Sequence, residues 1–159
     1  MGVWAGDIVR VVRYLESRED VDHKNISIIA YGEMCPVAIH AAVFEGGISK
    51  VALVEPLISY RSIVMNRYYS SSFIHATVAG ALTAYDLPDL AGCIAPRKLL
   101  MVNITDQNKD KAGSELIEKD LAITRFSYSA AGAEENLEIR SWESGQTMDE
   151  IFSAWLDLQ

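Results

Sequence analysis

The side chains that could do chemistry gather around one strand-to-helix junction. Ile26-Ser27-Ile28-Ile29-Ala30-Tyr31 is a short β-branched run ended by Gly32, and Pro36 opens the apolar stretch Val37 to Phe44. A sharp turn between a strand and a helix lifts a side chain above a sheet and sets it beside the helix N-terminus. Two groups at this turn are chemically capable. A Cys35 thiol on the first helical turn could be an activated nucleophile, and a Glu33 carboxylate could activate a water. Each also has a plainer reading, since free cysteine is commonly buried as packing and a carboxylate at a helix N-terminus is stabilised as a cap.

Other candidates are scattered. His23 falls in a polar loop, His40 on the apolar helix after the turn, and His75 in an irregular stretch. A lone histidine on an apolar helix usually finds a local hydrogen bond; His75 is more open, because stretches between parallel strands often line a cleft. Asp86, Asp89, Asp106 and Asp110 match neither an EF-hand spacing nor a histidine-containing cluster, so capping or solvation is the favoured role and no metal is expected. Tyr68-Tyr69 with Ser70-Ser71-Ser72 could form a sugar-stacking surface, whereas Trp155 reads as core.

The elements that must position these groups alternate. Asp7 to Glu16 carries Ile8, Val11, Val12 and Leu15 at helical spacing. Val51-Ala52-Leu53-Val54 and Arg97 to Asn103 read as further strands of the buried, parallel kind. Ala112 to Phe126 reads as an amphipathic helix, Leu137 to Trp142 as a half-exposed last strand, and Met148 to Leu158 as a helix with Ile151, Phe152 and Trp155 on one face. Residues 57–95 have no clean period and read as an irregular excursion with short helices. The alternation predicts an α/β fold, three layers around a mainly parallel sheet of about four strands, in one domain over 1–159.

Composition narrows the function. Half of the 159 residues are hydrophobic, which argues for a packed core. A net charge of −8 opposes nucleic acid, and no apolar run reaches the roughly 18 residues that span a bilayer, so neither nucleic acid nor membrane is an expected partner. The start of the chain lacks a basic region followed by an apolar stretch, so no signal peptide is expected. Cys35 and Cys93 are too few and too far apart for a disulfide framework or a CxxC site, and they leave the compartment unassigned.

The string from Ile28 to Ala42 resembles the nucleophile elbow of bacterial α/β-hydrolases related to acetyl xylan esterases and dienelactone hydrolases. The resemblance extends over most of the chain, through Tyr14-Leu15, Asp20-Val21-Asp22, Tyr85 to Leu90 and Ala95-Pro96-Arg97. It implies the C-terminal half of such a fold, a carbohydrate ester as ligand and no cofactor. Carried over by position, the first motif glycine falls on Ala30, the nucleophile on Gly32 and the last glycine on Met34. The acid position falls on Asp106 and the base position on Gln146.

Glycine offers no nucleophile and an amide no base, so the resemblance implies serine-hydrolase ancestry without its chemistry, leaving Glu33 and Cys35 as the substitutes to weigh. Such a fold normally has roughly eight strands, with an oxyanion-hole N–H from an early loop. The chain has room for the last four of these. Three outcomes are therefore open: a degenerate or truncated domain inactive alone, an esterase completed by upstream strands or a partner, or an interaction module. The unpaired edge of the Ile26–Tyr31 strand would favour a homodimer or a complementary N-terminal half.

Overall fold

The computed structural model describes residues 1–142 and 147–156. Helix α1 (Gly2–Glu16) begins five residues before the expected Asp7, because Ala5 continues the helical spacing and is buried against Val37 and Ala41 of the next helix. Strand β1 (Ser27–Tyr31) runs through a short 3₁₀ turn, Gly32–Met34, into α2 (Cys35–Phe44). Strand β2 (Lys50–Val54) follows, then β3 (Lys98–Val102) and β4 (Leu137–Arg140), giving four parallel strands in sequential order. Ile29, Ala52, Leu100 and Glu138 share one row of the register.

The alternation of side chains along β2 and β3 explains the three layers. Val51, Leu53, Leu99 and Met101 face the core under α1 and α2, whereas Ala52, Val54, Leu100 and Val102 face α7 (Met148–Leu156) through Ile151, Phe152 and Trp155. Burial on both faces is why these strands read as continuous apolar runs. The fold class expected from the sequence is the one found, and Trp155 lies in the core.

The excursion after β2 is built from short pieces: α3 (Tyr60–Val64), 3₁₀ turns at Ser71–Ala76 and Ala81–Thr83, and α4 (Leu87–Gly92). Asp86 and Asp89 form a reciprocal capping box at α4, and Asp86 also accepts from the Tyr60 and Arg61 backbone N–H groups at 2.6 and 3.1 Å. The helix expected over Ala112–Phe126 is two, α5 (Ser114–Asp120) and α6 (Ala122–Ala130). They break beside Asp120, whose buried carboxylate accepts from Ser59 Oγ at 2.6 Å and pairs with Arg61. Among the described residues no helix is long and apolar enough to cross a membrane.

Candidate active site

The sequence around Gly32 folds as an elbow for steric reasons. Tyr31 ends β1 in extended conformation and Gly32 turns at φ +54°, a left-handed value that favours glycine. Pro36 in the first turn of α2 then commits the chain to a helix. A Cβ on Gly32 would meet no other heavy atom within 4 Å. The turn thus holds open the position from which a side chain would project, and the chain places none there.

Beside it lies a cavity of about 470 Å³ at the carboxyl ends of the strands, where ligands of parallel sheets bind. The elbow supplies Gly32, Glu33 and Met34; β2 supplies Glu55 just beyond its end; the loop after β3 supplies Thr105 and Lys109. Phe73 and His75 close it from the excursion and Trp4 from α1.

Two pairs set its electrostatics. Tyr31 Oη donates to Glu55 Oε2 at 2.6 Å, and this bond together with the carboxylate's charge raises the phenol above its ordinary pKa. Lys109 Nζ donates to Glu33 Oε1 at 2.6 Å and lies 5.6 Å from the centre of the Phe73 ring. The Lys109 hydrogen bond, seconded by one from Ser72, holds the Glu33 carboxyl below the usual range. Glu55, Asn103 and Lys109 all have positive φ, so the chain turns sharply as it leaves β2 and β3 and within the loop beyond.

No family model and no curated protein matches the chain. Solved structures do. A glucuronoyl esterase from Teredinibacter turnerae superposes with a TM-score of 0.72 at 14% identity, over 97% of this chain and 44% of that one. The glucuronoyl esterase catalytic domain from Hypocrea jecorina gives 0.68 at 17%, over 96% and 49%. An acetyl xylan esterase from a Paenibacillus species gives 0.63 at 16%, over 95% and 50%. The chain has the α/β-hydrolase fold. It spans half or less of the length of these α/β-hydrolases, and at such identities the fold is what is shared.

The remaining candidate residues disperse. Cys35 is fully buried; its Sγ donates to the Val54 and Ala30 carbonyls at 3.3 and 3.4 Å, and burial pushes the thiol up to about 12. It is a protonated packing group at neutral pH. Asp106 does not line the cavity: its Oδ1 accepts from the backbone N–H groups of Asn108 and Asp110 at 2.7 and 3.1 Å, shaping its own loop. Gln146 lies outside the described residues. His40 is buried, with Nδ1 2.6 Å from the Pro36 carbonyl and Nε2 2.9 Å from Tyr85 Oη, and exposed His23 meets the Arg18 carbonyl at 2.6 Å.

Glu33 and His75 are the sequence candidates that the fold brings to the cavity beside Gly32. Glu55 was missed. Its signal was present, because a carboxylate directly after the buried run Val51–Val54 must emerge at the carboxyl edge of the sheet. Among the described residues no group of three or more His, Cys, Asp or Glu is arranged to hold a metal ion.

Proposed function

We propose that this chain is a degenerate α/β-hydrolase domain of carbohydrate-esterase type that binds ligand at the elbow but has no hydrolase activity alone. The observation that carries the reading is Gly32, at φ +54° with open space where a nucleophile would project. The burial of Cys35 and the ion pairing of Glu33 support it, since neither is free to replace that nucleophile. Purified protein should hydrolyse p-nitrophenyl acetate no faster than buffer. Turnover that persists in a Glu33→Ala, Cys35→Ala double variant would refute this account.

A working esterase completed by further strands is the enzymatic rival, supported by coverage of 44–50% of these matched esterases. A fluorophosphonate probe distinguishes the two: labelling of any serine would favour the rival.

A second reading, association through the sheet edge, draws on β1. Among the described residues this edge strand pairs with β2 alone; it carries no charge, and leaves Ile29 46% and Tyr31 57% exposed. Such an edge invites strand addition, and a homodimer formed across it, or a complementary N-terminal half seated on it, would cover it. Sedimentation at high micromolar concentration should show a dimer that Ile29→Lys dissociates; a wild-type monomer would count against self-association.

A further inference from the structure

We propose that the cavity beside Gly32 selects a neutral, hydroxyl-rich sugar ring and rejects the corresponding uronate. The inference deepens the reading of a sugar-ester site and rests on it for the ligand class; the charge preference comes from the cavity itself.

The described lining carries two carboxylates, Glu33 and Glu55, one ammonium, Lys109, and one imidazole, His75, counted neutral here as in the formal charge of the chain. Lys109 is committed, paired with Glu33 and set over the Phe73 ring. Glu55 is matched by a neutral phenol, that of Tyr31. The formal sum over these groups is therefore −1, inside a protein of net charge −8. A ligand carboxylate entering here meets like charge with no uncommitted lysine or arginine among the described lining residues to receive it.

Sugar hydroxyls meet better chemistry. Tyr31 uses Oε2 of Glu55, and a carboxylate has acceptor capacity beyond that bond for ligand O–H groups. The exposed rings of Trp4 and Tyr31 offer apolar faces for the C–H side of a pyranose. A volume of about 470 Å³ lies within the range of small-ligand sites.

The test compares methyl β-D-glucopyranoside with methyl β-D-glucuronide, which differ at one carbon as CH₂OH against carboxylate. Binding to the full chain is followed at pH 8 by amide shifts of Gly32 and the Trp4 indole signal. The glucoside should bind about tenfold more tightly, the scale of one like-charge encounter in a partly solvated site. Glu55→Gln should bring the ratio towards unity, and Lys109→Met, which frees Glu33, should widen it. A glucuronide that binds as tightly as the glucoside, a ratio unmoved by both variants, or no binding of either probe at millimolar concentration would overturn the proposal. Esterase turnover by the chain would sink the inactive-domain reading and leave this preference standing, because the readout is binding.

Discussion

The hydroxyl of Tyr31, the residue before the elbow glycine, donates at 2.6 Å to Glu55, the first residue past the neighbouring strand. One hydrogen bond thereby ties the two strand ends that frame the cavity. Deprotonating the phenol would break this bond and set two anions together, which is why its pKa is raised. Glu55→Gln should move the Tyr31 titration down towards the ordinary tyrosine value of about 10, read by tyrosinate absorbance against a Tyr31→Phe control. The sign follows for stability: a raised folded-state pKa favours the protein below the unfolded phenol's pKa, and the benefit fades as pH rises through the folded value. An unchanged Tyr31 titration in the glutamine variant would contradict the assignment.

The Glu33–Lys109 pair has the opposite sign. A depressed carboxyl pKa contributes stability above the unfolded glutamate pKa, lost as pH falls through the folded value. Both side chains are more than a third exposed, so the contribution is small, up to about 1 kcal/mol. Lys109→Met should lower the urea midpoint slightly at pH 7 and match the wild type in strong acid. Equal midpoints at both pH values would show the pair to be energetically silent.

Thiol reactivity should be split. Cys93 is exposed and Cys35 buried with its thiol raised to about 12. Ellman's reagent at pH 8 should therefore titrate one thiol in the native protein and two in urea. Rapid reaction of both without denaturant would mean that Cys35 is accessible after all.

Gly32→Ser tests the elbow itself. The new side chain has room, but the left-handed backbone costs a non-glycine residue roughly 1–2 kcal/mol. The variant should fold with a lowered denaturation midpoint and stay inactive on p-nitrophenyl acetate, since Glu33 is paired with Lys109 and Asp106 is bonded within its own loop, which leaves no base-acid relay among the described residues. Strong turnover would show that Glu33 or His75, which line the same cavity, serves the new hydroxyl as its base.

Much of this architecture was legible because the physics was local. The β-branched run at Ile26–Tyr31 and the apolar runs in β2 and β3 announced buried parallel strands, and Gly32 followed by Pro36 announced the elbow. Partners distant in sequence were not legible. Asp120 looks like one more polar residue on an amphipathic helix, and its burial against Ser59 and Arg61, brought up by the excursion, is visible only in the fold. Glu55 and Asp106 show the same limit: the motif directs attention to the acid after β3, while the cavity takes its carboxylates from the elbow, Glu33, and from the end of β2, Glu55. Lys109 joined the site through a loop conformation that composition does not encode.

The two edges of the sheet differ in chemistry. On β4, Glu138 and Arg140 form an ion pair of side chains, whereas β1 is Ser-Ile-Ile-Ala-Tyr throughout. Charged side chains on an edge strand discourage further pairing. The sheet is therefore receptive on one side only, and an assembly that consumes both copies' β1 edges has no receptive edge left. Were the proposed pairing across β1 to form, strand addition would end at two molecules, a closed pair and not a fibre.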